Sequence, residues 1–591
     1  MFRPTALRAS LHLAILTVLL LVLLPSLAAA QSGPPVTPEI VAAAAAAKTP
    51  VAPGPVQPTW DSIRANYSVP QWFIDAKFGI TMHWGLFSIP AYHNEWYEKY
   101  MYSAAPSAGV DHSFSAWHTQ NFGPPDKFGY KDFIPLFTAK DFNADDVAEL
   151  VKESGAKYFA PTVEHHDGFS LWNSATNPFN AFNMGPHRDL VGEMAVATRK
   201  VGLKFGVASH NIEHYTFIHP PPGVKTDLDD PKFANFYWTG HSDARLVEFL
   251  QDWVLKSMEL IDQYQPDIFW YDNGINSRDY DPLKLKVAAY YYNRALQWHK
   301  PVTFLTKDSA FLAGSVLEFE KLNPRGPTQI LTGIWDAEEP IGSTWGYSTA
   351  NPVETFRGAG SVINELCTIL SMNGNLLLNL SPTGAGAIND QQRTALKEVG
   401  KWLAVNGEAV YGTHNWIVDG EGFTPLPPRS GLARGGNRPG GPGGARPAAS
   451  TAPGAPHTSP VVPAAPAPTV AAAAPPAPTP AEAQEPKPVV YRFTVKGDNL
   501  YAIAQSWPGD TALITSLAKG KALDGAVPEG KIASVTLLGS PGKLKFTQDA
   551  DGLKVKLPAD KPCDYAWTLK IVGLKMNLAG PPVPAVMADL R

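Results

Sequence analysis

The sequence predicts an α/β chain: a (β/α)8-like barrel of the TIM type followed by a C-terminal antiparallel β-sandwich. Three observations predict it. The chain has 591 residues, more than one hydrophobic core usually serves, so two or more domains are expected. From about Trp60 to Tyr411, short apolar runs rich in Val, Ile and Phe alternate with longer stretches of helical period. Beyond a stretch made almost wholly of Pro, Gly, Ala, Ser and Thr, the pattern changes to short alternating runs broken by Gly, Pro and Asp.

Taken in order, residues 1–30 read as a secretory signal peptide. Arg3 and Arg8 precede an apolar run from Leu11 to Leu24, and Ala28-Ala29-Ala30 supplies a small-x-small cleavage site ahead of Gln31. The apolar run is shorter than a membrane span of about 20 residues, so the mature chain is expected outside the cytoplasm, periplasmic or extracellular, with no membrane span. Residues 31–58, rich in Ala, Pro and Val, read as a disordered tether. The barrel is expected over 59–410. Its strand candidates are Phe78–Trp84, Tyr158–Val163, Leu203–Ala208, Ile268–Asp272, Val302–Thr306, Val316–Phe319 and Asn375–Leu380. Helix candidates between or after them are Ala144–Ser154, Val191–Val201, Asp243–Tyr264, Leu283–Trp298, Val353–Met372 and Asp390–Val405. Continuous apolar strands followed by amphipathic helices argue for a covered parallel sheet. Roughly 350 residues in this rhythm, with no Gly-rich dinucleotide fingerprint, favour a closed barrel over an open sheet. Residues 411–426 are expected to begin the C-terminal domain, with Trp416–Val418 as a possible first strand. The low-complexity segment 427–486 cannot bury a core and is either an interdomain linker or a loop inserted within the sandwich. The sandwich proper is expected over 487–591, with strands at Val489–Lys496, Leu500–Ala504, Ala533–Leu538, Leu544–Phe546, Leu553–Leu557 and Ala566–Val572.

Composition narrows the function classes. Apolar residues make up 44%, charged residues 17%, and the formal net charge is -5 with no long basic run. A nucleic acid, bound largely by neutralising phosphates, is therefore an unfit partner. Aromatics reach 11%, which suits sugar pockets but equally an aromatic-rich core. The two cysteines, Cys367 and Cys563, have no metal-type spacing and read as buried thiols.

Chemistry in a barrel gathers where strands end at the C-terminal face, and several ends here are loaded. The first candidate strand ends in His83-Trp84-Gly85, and Glu95-Trp96-Tyr97 follows in the next loop. The second runs into Glu164-His165-His166-Asp167-Gly168, the third reaches Ser209-His210, and the fourth delivers Asp272. Glu318, Glu320 and Trp345-Gly346-Tyr347 come later. Singly, such residues are often structural, and a strand-end Asp often caps the next helix. Their convergence is the argument, because burying unpaired polar groups costs roughly 1–3 kcal/mol each and a ligand-facing mouth accommodates them better. Two chemistries could use this set: glycoside cleavage by paired carboxylates, or metal-assisted hydrolysis using His83, His165, His166 and Asp272. The neighbouring Trp and Tyr favour the first, since a metal site does not need them.

At these residues the chain resembles the glycoside hydrolase family 29 α-L-fucosidases. The resemblance is carried by an ordered series: Lys77-Phe78-Gly79-Ile80 leading to His83-Trp84-Gly85, then Glu95-Trp96-Tyr97, then Gly155-Ala156-Lys157-Tyr158 through His165-His166-Asp167-Gly168-Phe169. Arg188-Asp189, Gly202-Leu203-Lys204-Phe205-Gly206, Pro266-Asp267-Ile268-Phe269-Trp270-Tyr271-Asp272, and Asn373-Gly374-Asn375 through Asn379, Ser381 and Pro382 continue it. It implies retaining hydrolysis of terminal α-L-fucose from fucosylated glycans, with no metal or other cofactor. Asp272 matches the family nucleophile. Glu320, within Leu317-Glu318-Phe319-Glu320-Lys321, matches the acid/base, with Glu318, Glu338 and Glu339 as rivals. His83, Glu95, Trp96, His165 and His166 match residues that hold fucose hydroxyls, and Trp345 an aromatic near the C5 methyl. Where many members show Tyr-Tyr-Ser, this chain has Ala208-Ser209-His210-Asn211 followed by Glu213-His214, so His210 is expected to replace a tyrosine contact to the sugar. A metal-dependent barrel hydrolase and a fucose-binding barrel without catalysis are the alternative readings.

Overall fold

Backbone pairing closes the predicted alternation into a ring. The computed structural model describes residues 35–103, 114–221, 223–308, 310–349, 356–423 and 488–576. Its barrel strands are β1 (Phe78–Met82), β2 (in two pieces, Tyr158–Phe159 and Thr162–Glu164), β3 (Lys204–Ser209), β4 (Ile268–Tyr271), β5 (Thr303–Lys307), β6 (Ser315–Glu320), β7 (Trp335–Pro340) and β8 (Gly374–Leu380). Each pairs in parallel with the next, and β8 returns to β1 in a register running from Phe78↔Leu376 to Met82↔Leu380. Pro161, which has no N–H for the ladder, lies at the break in β2.

Period-two alternation sorts the barrel's side chains. Tyr158, Ala208, Ile268, Trp270, Leu305, Val316, Ile334 and Leu377 form one core cluster with Phe73 and Ala76 of the short helix Gln71–Ala76. This is the barrel interior. The intervening residues, among them Ile80, Phe159, Val207, Phe269, Phe304 and Leu378, join the larger cluster shared with the surrounding helices. Gly79 is required because a Cβ there would lie 2.0 Å from the Tyr158 ring. The covering helices Ala144–Glu153, Leu190–Lys200, Asp243–Tyr264, Asp281–Gln297 and Asp390–Asn406 fall within two residues of their expected positions, whereas Ala359–Ser371 begins six residues after the expected Val353, which lies outside the described residues.

Two expectations need correction. β7 has no counterpart among the sequence-predicted strands, because Trp335-Asp336-Ala337-Glu338-Glu339-Pro340 carries three acids and does not read as an apolar run. The segment expected to be a tether contains the helix Pro38–Ala45, which buries Ile40, Val41 and Ala44 in the barrel's outer core. Lys286 donates to the carbonyls of Ala45 and Ala47, and the Asn293 amide bonds both the N–H and the carbonyl of Val56. The segment is docked from residue 35 onward.

The C-terminal region comprises β9 (His414–Glu421), β10 (Tyr491–Lys496), β11 (Asn499–Ala504), β12 (Thr511–Ile514), β13 (Gly530–Leu537), β14 (Phe546–Gln548), β15 (Leu553–Lys556) and β16 (Trp567–Leu574). They form antiparallel sheets of five strands, in the order β9-β10-β11-β16-β13, and of three, in the order β12-β15-β14, around their own apolar cluster. Since β9 pairs directly with β10, the low-complexity stretch joins neighbouring strands of one sheet. Of the two open readings, insertion is the one the topology supports. Tyr501, Ile503 and Ala566 belong to the barrel's cluster, and the Trp402 indole donates to the Ala566 carbonyl at 2.8 Å. Cys367 is buried, whereas Cys563 is only half-buried; both are free thiols. The expected signal peptide and residues 427–486 lie outside the described residues. Among those described, no helix is long and apolar enough to cross a membrane.

Candidate active site

One further step along each inward-facing row, beyond the apolar interior, reaches the polar groups. Trp270 leads to Asp272, Leu305 to Lys307, Val316 to Glu318 and Glu320, and Ile334 to Asp336 and Glu338. On β1 and β8 the same rows reach His83 and Asn379. The site is therefore built on strand ends.

Asp272 is the hub. Its Oδ2 accepts from His210 Nδ1 at 3.0 Å and lies 3.5 Å from His166 Nε2. Its Oδ1 lies 2.7 Å from the ammonium of Lys307. Burial would raise this carboxyl, but Lys307, His210 and His166 outweigh burial and hold it well below the ordinary aspartate value. Burial likewise opposes the charge on Lys307, yet Asp272, Glu318, Glu338 and Glu320 hold its ammonium well above the ordinary lysine value. Lys307 is also 3.5 Å from Glu320 Oε2 and 3.9 Å from Glu338 Oε2. It was not foreseen as a site residue.

The histidines are held in defined tautomers. Asn379 donates through Nδ2 to the Trp345 carbonyl at 2.8 Å, which turns its Oδ1 toward His83. That oxygen accepts from His83 Nδ1 at 2.7 Å, leaving His83 Nε2 as a lone-pair acceptor. His166 Nδ1 donates to the His210 carbonyl at 2.9 Å. Burial pushes His83 and His165 well below the ordinary histidine value, so both are neutral near neutral pH. His165 Nδ1 has no hydrogen-bond partner among the described residues. His210 differs from the expected sugar contact. Its Nδ1 serves Asp272, and its Nε2 accepts from the Thr162 hydroxyl at 3.2 Å. Both nitrogens are used within the protein, so it orients the aspartate; burial holds it at about 4 despite the aspartate's opposing pull.

Aromatic and acidic neighbours close the pocket. The Trp345 ring lies 5.3 Å from His83 and the Trp96 ring 5.9 Å from His166, centre to centre. Glu95 is buried, which raises its carboxyl, and accepts from the Gly346 N–H at 3.1 Å. All nine sequence-predicted residues thus converge on one pocket.

The rival carboxyls separate by position. Glu320 keeps 20% of its side chain exposed at the barrel mouth. Glu318 lies deeper, only 1% exposed, and accepts from the Glu338 N–H at 3.2 Å. Glu339 alternates to the other side of β7, where it accepts from the Leu322 N–H and faces Arg357 at 3.8 Å. The metal reading meets a difficulty of chemistry. His166, His210 and Asp272 do present ligand atoms within 4.8 Å of one another, but the aspartate is already paired with an ammonium and His210 already bonds at both nitrogens. A divalent cation at Oδ2 would have to break the hydrogen bond from His210 to Asp272.

Comparison with known proteins identifies the family. The family model for alpha-L-fucosidase matches residues 43–408, and the one for the alpha-L-fucosidase C-terminal domain matches 484–572. The plasma alpha-L-fucosidase of Homo sapiens is 34% identical over 377 residues, covering 62% of this chain and 74% of that protein. The tissue alpha-L-fucosidase of Homo sapiens is 28% identical over 546 residues, covering 88% and 92%. The crystal structure of Thermotoga maritima alpha-fucosidase in complex with fucose superposes with a TM-score of 0.60 at 25% identity, covering 87% of this chain and 100% of that one. With a family model spanning most of the barrel, a second over the sandwich, and a pocket of carboxylates, imidazoles and tryptophans at the strand ends, the chain belongs to the alpha-L-fucosidase family.

Proposed function

We propose that this chain is an exo-acting, retaining α-L-fucosidase in which Asp272 is the nucleophile and Glu320 the acid/base. The observation that carries the reading is the lysine shared by two carboxylates. With Lys307 Nζ 2.7 Å from Asp272 Oδ1 and 3.5 Å from Glu320 Oε2, those two oxygens are at most about 6 Å apart, which accommodates the roughly 5–5.5 Å carboxyl spacing of retaining sites. In the first step an Asp272 oxygen bonds to the anomeric carbon while the bond to the leaving oxygen breaks, and that oxygen takes the proton of Glu320. In the second step water attacks the same carbon, gives its proton to Glu320 and frees Asp272. Negative charge thus moves from Asp272 to Glu320 and back, with one ammonium beside both. Neutral His83 and His165, with Glu95 and Trp96, offer donors and acceptors to the sugar hydroxyls. Trp345 offers an apolar face.

Asp272→Ala should lower release of 4-nitrophenol from its α-L-fucoside by at least about a thousandfold, with azide restoring part of it as the β-fucosyl azide. Wild-type turnover in that variant would refute the assignment. Glu320→Ala should lose most activity on fucosides with poor leaving groups and much less on aryl fucosides; equal loss on both would point to Glu318 or Glu338. Activity that disappears on chelation and returns with a divalent metal would favour the metal-dependent alternative. Export is part of the proposal and is supported by the basic, apolar and small-x-small segments of residues 1–30. The mature protein should then begin at Gln31 on N-terminal sequencing.

A further inference from the structure

Four carboxyl groups, those of Asp272, Glu318, Glu320 and Glu338, act on a single ammonium in this pocket. Around Glu338 the facing charged or titratable groups are Lys307 from β5, Glu318 and Glu320 from β6, Asp272 at the end of β4, His83 after β1, and Asp336 on its own strand. The other neighbouring strand, β8, places amides there, Asn375 and Asn379. Glu338 is 2% exposed, and it lies between two nitrogens, with Oε2 3.9 Å from Lys307 and Oε1 4.0 Å from His83 Nδ1. Neither is a hydrogen-bond distance. The Lys307 charge is taken up at 2.7 Å by Asp272, and the His83 proton goes to Asn379. A buried carboxylate is sustained only by a close cation or several donors, and among the described residues none approaches the Glu338 side chain closer than Lys307 at 3.9 Å and His83 at 4.0 Å.

We propose that Glu338 is a positioning residue that works uncharged, a protonated carboxyl between Lys307 and His83 that leaves the ammonium to Asp272 before the sugar is attached and to Glu320 afterwards. This rests on the double-displacement reading. During the first step the negative charge passes from one carboxylate to the other, and Lys307 can follow it only if no third anion holds it. An ionised Glu338 would hold it in both states. Burial and the neighbouring Asp272, Glu320 and Asp336 raise the Glu338 carboxyl well above the ordinary glutamate value, more than Lys307 lowers it.

The test uses the full-length enzyme with Glu338→Gln and Glu338→Leu. Infrared difference spectra of wild type against Glu338→Gln near neutral pH should show the C=O stretch of a protonated carboxyl that the variant lacks. Glu338→Gln should keep kcat/KM within about threefold and leave the alkaline limb of its pH profile in place. Glu338→Leu, which has no polar atom beside Lys307, should lower kcat by about tenfold or more with little change in KM. Three results would overturn the proposal: a carboxylate band in place of the protonated one, an alkaline limb displaced to lower pH in Glu338→Gln, or a leucine variant as active as the glutamine one. The thermal melts of both variants separate loss of fold from loss of rate, and the glutamine variant and the infrared band decide the matter if leucine is not tolerated. A wild-type protein that releases no fucose would sink the fucosidase reading instead, while the infrared band would still report the charge of Glu338.

Discussion

Replacing Lys307 with methionine keeps the length of the side chain and removes the ammonium 2.7 Å from Asp272. Asp272 must be ionised to attack, so activity is present above its pKa and lost as pH falls through it. Lys307 holds that pKa well below the ordinary value; without it the acid limb of kcat/KM should move to higher pH, by about one to three units for an opposite charge at this range. A pH profile on the aryl fucoside checks this, and an acid limb that stays in place would show that the histidines alone keep Asp272 ionised. Lys307 was hard to see in the sequence for a physical reason. The apolar run reads as Val302–Thr306 and stops one residue short, and a lysine after a strand is ordinarily solvated. The available signal was its parity with Leu305, which places it on the inward row. Asp272 and the histidines were legible because each follows an apolar run at once and belongs to a motif. The role of His210 was not, since only the geometry brings Thr162 to its second nitrogen.

Among the elements, β7 and the helix Pro38–Ala45 show how local composition can conceal structure. In β7 the acids Asp336 and Glu338 face inward, where one accepts from the Tyr158 hydroxyl at 2.9 Å and the other meets Lys307. Burial pushes Asp336 up to about 8. A strand whose inward row is acidic cannot show the apolar pattern by which buried strands are recognised. The helix was concealed by its Ala-rich setting, although its start carries ordinary signals: Thr37 caps the Ile40 N–H, Pro38 sits in the first turn, and Glu39 is acidic there. Val41 is fully buried. Val41→Asp places an unpaired carboxyl in an apolar contact and should destabilise the fold by about 3 kcal/mol, read as a lower urea midpoint. The strand ends of the pocket do not include this helix, so kcat and KM below the transition should match wild type. An unchanged midpoint would mean that the segment behaves as the tether its composition suggests.

At the scale of the molecule, the barrel and the sandwich share side chains, while the low-complexity segment is attached at two adjacent points. Gly420 pairs with Arg492 and Glu421 with Tyr491, so the chain leaves one strand of the five-stranded sheet and re-enters its neighbour opposite. A turn of a few residues could span that gap. The sandwich itself is anchored elsewhere: Gln505 donates to the Asn364 carbonyl at 2.7 Å, Tyr501 to Glu408 at 2.8 Å, and Trp402 to the Ala566 carbonyl. Each of these contacts, and each described residue of the catalytic pocket, lies outside 427–486. Replacing that segment with a four-residue turn should therefore leave kcat/KM on aryl fucosides unchanged. The loop between Glu421 and Tyr491 then shrinks from about 70 residues to about 13, which removes an entropic cost of about 1.5 kcal/mol, so the midpoint for unfolding the sandwich should rise or hold. Loss of activity on large fucosylated glycans alone, with aryl fucosides and stability unaffected, would assign the segment to substrate capture. A fall in stability would mean that it packs on the sandwich.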